Sequence, residues 1–111
     1  MIADQIIIRR SSDGIIVFET PEGNYRLSPE DIHNILFYGN RVPVLRDNGG
    51  AESKALVWGK RPGFTGARRI FFSTATRLFS IADISFISVV KRKWAAASMF
   101  ADSQRTAEYV A

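Results

Sequence analysis

The residues with the most chemical potential lie in one stretch, Gly59-Lys-Arg-Pro-Gly-Phe-Thr-Gly-Ala-Arg-Arg69. It holds four basic side chains (Lys60, Arg61, Arg68 and Arg69), three glycines and Phe64. Glycines let backbone N–H groups approach an anion, and the cations supply charge. Trp58 and Phe64 add aromatic faces on which a base or an acyl surface could stack. The stretch lacks the Gly-x-x-x-x-Gly-Lys-[Ser/Thr] spacing of a phosphate-binding loop, so it does not read as a nucleotide site. Its bland alternative is a long solvated loop with Trp58 in the core. A second basic cluster, Lys91, Arg92 and Lys93, follows a β-rich run. On a strand these three alternate faces, which suits protection of a strand end against aggregation better than a shared site.

Other chemistry is poorly supplied. The chain has no cysteine and one histidine, which excludes disulfides, thiolate metal sites and any site of two or three histidines within one chain. Serine–histidine–acid catalysis would rest on His33. Asp31 is two residues away, a spacing that makes side chains diverge on a helix, and no Gly-x-Ser-x-Gly is present. His33 therefore reads as a surface residue. Glu30 and Asp31 suit the first turn of a helix, and Asp13, Glu22 and Asp47 suit turns. No catalytic residue, metal site or cofactor is expected.

These groups sit in a chain of 111 residues, 46% apolar and 23% charged, which fits one ordinary globular domain. The charge is uneven. Residues 1–40 are net −3, residues 41–93 hold eleven basic and three acidic side chains for net +8, and residues 94–111 are net −1. Most of the cations are arginines, which suit phosphates, carboxylates and aromatic faces. The longest low-charge run, Leu78–Val90, is 13 residues with Asp83 inside it, too short and polar to span a bilayer. Asp4 breaks any signal-peptide pattern. The expectation is a soluble, cytoplasmic protein.

The elements that must carry these residues read mainly as strands. Gln5–Ile8 and Ile15–Phe18 flank a Ser-Ser-Asp-Gly turn, and Asn24–Leu27 continues after Pro-Glu-Gly. Further extended pieces are Arg41–Arg46, an edge piece because of Pro43, then Ala55–Trp58, Arg69–Ser73, Arg77–Ser80 and Ile84–Val90. Pro29 and Gly39 bracket a helix of about ten residues over 29–38. From Trp94 the run Ala-Ala-Ala-Ser-Met favours helix, so residues 94–111 are expected to pack as a C-terminal helix on a β-rich domain of residues 1–93. Phe18, Phe37, Phe79, Phe86 and one of Phe71 and Phe72 read as core; the other of that pair needs a second layer or a partner.

One pattern occurs twice. Leu27-Ser-Pro-Glu-Asp-Ile-His-Asn-Ile35 matches Phe79-Ser-Ile-Ala-Asp-Ile-Ser-Phe-Ile87 at an offset of 52. Each copy reads as a capping box, with Ser28 or Ser80 as the cap and Asp31 or Asp83 reaching back. Chance and duplication are equally compatible with it; a pseudo-two-fold barrel would fit the second.

The expected architecture is mainly β (α+β): a small bent sheet or barrel of six to eight strands, one short internal helix and a C-terminal helix. About seven strands then a helix carrying a tryptophan resembles the element order of a pleckstrin-homology-like barrel. Three functions fit. The first is a non-catalytic binding or adaptor module acting through protein–protein contact or self-association. The second is an anion-recognition module using the 59–69 loop, for nucleic acid ahead of phosphorylated lipid headgroups at a membrane surface. The third is an enzyme whose site forms between subunits.

Overall fold

The computed structural model describes residues 5–47, 54–61, 67–75, 77–92 and 96–101. Along the chain run β1 (Gln5–Arg10), β2 (Ile16–Thr20), β3 (Gly23–Leu27), α1 (Pro29–Tyr38), β4 (Val42–Leu45), β5 (Lys54–Lys60), β6 (Arg69–Ser73), β7 (Leu78–Ala82), α2 (Asp83–Lys91) and β8 (Ala96–Ala101). All neighbouring strands are antiparallel, in the order β3-β2-β1-β8-β7-β6-β5-β4. The outer strands meet again: Tyr25 bridges Arg46, and Asp47 N–H donates to the Asn24 carbonyl at 2.8 Å. The sheet is therefore a nearly closed, mainly β barrel, as expected from the strand pattern. Seven strands precede α2, and an eighth follows it.

Strand alternation decides what faces the barrel interior. Ile6 and Ile8, Ile16 and Phe18, Tyr25 and Leu27, Val42 and Val44, Val57, Ile70 and Phe72, Phe79 and Ile81, and Met99 all join one buried core. Four rings fill its middle. Phe72 lies 4.7 Å from Phe18, 5.1 Å from Tyr25 and 6.0 Å from Phe79, centroid to centroid. Such ring pairs add about 0.5–1.5 kcal/mol each beyond the area they bury. The helices close one end of the barrel with Ile32 and Ile35 from α1 and Phe86 and Val89 from α2.

The two halves of the chain share one plan, three strands, a helix and a strand. The β2–β3 and β6–β7 registers superimpose at an offset of 54. Ile16 pairs with Leu27 and Phe18 with Tyr25; Ile70 pairs with Ile81 and Phe72 with Phe79. The helix caps, Ser28 and Ala82, and the buried helix positions, 32 and 35 against 86 and 89, keep the same offset. Each half lends its last strand to the other, β4 to β5 and β8 to β1. Phe18 and Phe72, equivalent in the two halves, touch each other across the pseudo-two-fold axis.

This register corrects the reading of the repeated motif at offset 52. Ser28 does cap α1, accepting from Asp31 N–H at 3.2 Å, and Gly39 ends the helix at φ 67°. Ser80 instead sits in β7, where its hydroxyl accepts from Arg69 at 3.1 and 3.3 Å. The second helix starts two residues later than the motif implies, after Ala82, which offers no side-chain cap.

Two element types are also corrected. Ile84–Val90, read as a strand, lies in α2. Its Phe86 and Val89 enter the barrel end at a spacing of three residues, and that burial outweighs the β preference of its valines and isoleucines. Ala96–Ala101, read as the start of a C-terminal helix, forms β8. Placed between β1 and β7, it gives its backbone two ladders, and alanines fit where Ala97 and Ala101 pack against the core. Helix propensity is too weak to oppose that. Residues 102–111 of the expected helix lie outside the described residues. Phe37, read as core, is 73% exposed. Of the Phe71–Phe72 pair, Phe72 faces inward. Phe71 joins Trp58 and Leu78 in a small cluster on the outer face of the sheet.

Candidate functional site

The helix-capped end of the barrel gathers the basic residues. Strand direction brings Arg10, Arg41, Lys60 and Arg69 to that end, and the helix termini add Lys91 and Arg92. Arg68, just before β6, lies between the helices. Its Nη1 donates to the Leu36 carbonyl of α1 at 2.9 Å, and its Nε to Asp83 of α2 at 3.3 Å. The Asp83 N–H also donates to the Arg68 carbonyl at 3.1 Å. Half-buried and paired, Arg68 is a brace between α1 and α2.

Between the two helices runs a groove of about 400 Å³. Pro29, Ile32, His33, Leu36 and Phe37 line it from α1, and Ile87, Val90 and Lys91 from α2, with Arg68 at its side. At the 54-residue offset His33 matches Ile87, Leu36 matches Val90 and Phe37 matches Lys91, so the groove lies on the pseudo-two-fold axis. Its walls are apolar, and among the described residues its three polar ones are all basic or imidazole. The exposed His33 ring packs 4.6 Å from Phe37 and 5.4 Å from Tyr38. Ile84, 75% exposed, and Tyr38, 69% exposed, extend the apolar surface at the helix ends.

The sequence-selected residues divide among three places. Lys60 and Arg69 are direct partners across β5 and β6 and point to the outer face, beyond Trp58 and Phe71. Arg61 follows Lys60 and is exposed. Trp58 is 2% exposed; it stacks on Phe71 at 5.5 Å, and the Arg41 guanidinium lies 5.2 Å over its ring. That placement gives Trp58 a packing role and leaves little ring surface for a base. Lys91 and Arg92 are the end and the cap of α2 and not a strand end, and only Lys91 lines the groove. Phe64 and Lys93 lie outside the described residues.

Sequence reasoning missed the groove and Arg41. The signal for the groove was present: Ile32, Ile35, Leu36, Phe37 and Tyr38 put more apolar residues on one short helix than a single face can bury. Arg41 carries no local pattern, because its ring partner is 17 residues away on the neighbouring strand. Among the described residues no three histidine, cysteine or acidic side chains cluster as metal ligands, and no helix is long and apolar enough to cross a membrane. The chain matches no protein family model, no curated protein and no solved structure.

Proposed function

We propose that this domain is a non-catalytic protein-binding module, and that its binding surface is the groove between α1 and α2. The observation that carries the reading is the lining of that groove: apolar walls from two helices with His33, Arg68 and Lys91 at the rim and no acidic side chain among the described residues. The occupant that fits is a partner segment with an apolar ridge and flanking carboxylates. Apolar contact in a desolvated groove supplies affinity, and complementary rim charge supplies orientation and association rate.

The test is a peptide-display selection on the full chain, followed by titration of the selected peptide. Enriched sequences carry spaced apolar residues beside Asp or Glu. Phe37→Glu and Lys91→Glu, both at exposed positions, each weaken the peptide roughly tenfold. Enrichment of sequences indifferent to both variants removes the proposal. Concentration-dependent self-association abolished by the same variants would make a second copy the occupant and overturn the acidic segment.

One observation favours anion recognition as a second reading: the Lys60 and Arg69 side chains stand opposite each other on the outer face, with Arg41 beside Trp58 on the same sheet. Arg69 also donates to Ser80 Oγ at 3.1 and 3.3 Å, and a phosphate would add a shared partner for the two cations. Nucleic acid, ahead of lipid headgroups, is the ligand class. Anisotropy of labelled single-stranded and duplex oligonucleotides then falls steeply with salt, and falls further in a Lys60→Gln/Arg69→Gln variant. Binding that ignores ionic strength rules it out.

A further inference from the structure

On β1, Ile6 and Ile8 point into the barrel core, and strand alternation puts Arg10 on the same face. Its partner across the ladder, Ile16, is a core residue. Arg10 is thus a half-buried cation on the inward face of a strand, at the end that the helices close. Among the described residues it makes no hydrogen bond and no ion pair. Withdrawing a charge from water without a counter-charge is costly, so the position calls for an anion. Building on the protein-binding reading of the groove, we infer that Arg10 and Lys91 form a carboxylate seat at one end of it. That seat fixes the direction in which an acidic partner segment lies.

Gly14 locates the guanidinium. The point where a Cβ on Gly14 would lie is 3.7 Å from Arg10 Nη2 and 3.8 Å from Pro29 Cγ. Arg10 therefore stands beside the first turn of α1, and Pro29 lines the groove. At the opposite end Arg68 joins Leu36, near the end of α1, to Asp83, the start of α2. The two-fold plan then sets Val90 and Lys91, the end of α2, near Pro29, and all three line the groove. The two ends differ in charge. At the 54-residue offset Arg68 matches Gly14, and Asp83 matches Pro29. One end holds a cation bonded to an acid and a carbonyl; at the other a proline takes the acid's place beside two cations. Glu30 and Asp31 follow Pro29 but do not line the groove. Asp13 accepts from the Ser11 hydroxyl and, at 3.4 Å, from the Ile15 N–H. A carboxylate of the segment completes this end by charge-assisted contact with Arg10, and the segment then runs toward Phe37 and Tyr38.

The test uses the full chain and the display-selected peptide, with each acid of the peptide replaced in turn by its amide. Arg10→Gln is expected to weaken the parent peptide roughly tenfold. It leaves one amide variant almost unaffected, because both changes remove the same pair. Arg10→Lys keeps part of the affinity. Lys54→Gln, at an exposed cation of the far end, changes nothing. A nitroxide on the peptide terminus nearer that acid broadens the amides of residues 10–14 and 90–92; on the other terminus it broadens 36–38 and 83–85. An arginine that only supported the fold would lower Tm when replaced. Arg10→Gln is expected to leave Tm unchanged or raise it, since an unpaired charge is removed. Unchanged affinity in Arg10→Gln, additive losses in every amide variant, equal broadening of both ends from either label, or a fall in Tm with no loss of binding would each overturn the seat. If Phe37→Glu still weakens the peptide in such a case, the groove stands without the seat. A peptide without acids, or one indifferent to Phe37→Glu, removes both.

Discussion

Arg68 shows how much one side chain of the basic stretch is committed to structure. It holds the Leu36 carbonyl and the Asp83 carboxylate at once. Arg68→Ala strands both groups in a half-buried position, and a loss of about 1–3 kcal/mol in urea unfolding is expected. An unchanged midpoint would mean that the brace contributes nothing. Gly23 is constrained from two sides. Its φ of +138° is one that side chains rarely adopt, and an added Cβ would stand 3.0 Å from the Arg46 side chain. Gly23→Ala should lower stability by about 1–3 kcal/mol, read as a fall in Tm. Tyr25 carries a pH signature. Burial raises its phenol above the usual 10.0, Arg46 nearby opposes this, and Glu22 adds to it. The folded state therefore favours the neutral phenol. Its contribution is complete below pH 10 and is lost as pH climbs through the raised folded value. Unfolding measured from pH 8 to 11 should fall less steeply in Tyr25→Phe than in the native chain; parallel curves would show that the phenol is not buried in this way.

At the scale of elements, the strands were legible because β-branched and aromatic runs such as Ile6–Ile8 and Ile16–Phe18, bounded by turn residues, are a local signal. So was α1, whose Ser28 cap, Pro29 and Gly39 lie within a dozen residues. What failed is governed by partners distant in sequence. Ala96–Ala101 is a strand because β1 and β7 stand ready to pair with it. Ile84–Val90 is a helix because the barrel end needs Phe86 and Val89 as a plug. The candidate site was half legible for the same reason. The charge excess in residues 41–93 was visible, whereas the pairing of Leu36 with Arg68 across 32 residues was not. The two helix starts give a clear test of the 54-residue register. Ser28→Ala should cost about 1 kcal/mol, and Ala82→Ser, at φ −60° and ψ 141°, should gain about as much by supplying the missing cap. If the motif's own offset of 52 governed the structure, Ser80→Ala would instead match Ser28→Ala in thermal unfolding.

For the whole molecule, the pseudo-two-fold plan separates two ends with different chemistry around a filled core. The aromatic cluster of Phe18, Tyr25, Phe72 and Phe79 blocks any passage between them. One end is closed by helices and collects cations around an apolar groove; the other carries a cavity beside Arg77. Among the described residues the seam between β3 and β4 is the barrel's thinnest ladder, a single bridge helped by the Arg26–Asp47 and Glu22–Arg46 ion pairs. Exposed pairs of this kind each contribute about 0–1 kcal/mol. Opening should therefore begin there: hydrogen exchange at the Asp47 amide, which bonds across the seam, is expected to outpace exchange in β1 and β6, and equal protection would refute a weak seam. The central claim is that the α1–α2 groove receives an acidic, apolar partner segment. Its most direct measurement is amide chemical-shift mapping of the full chain with the display-selected peptide. The largest shifts are expected along residues 30–38 and Asp83–Arg92, lost in Phe37→Glu. Shifts confined to the Trp58–Arg69 face or to the opposite mouth, with both helices unmoved, would contradict it.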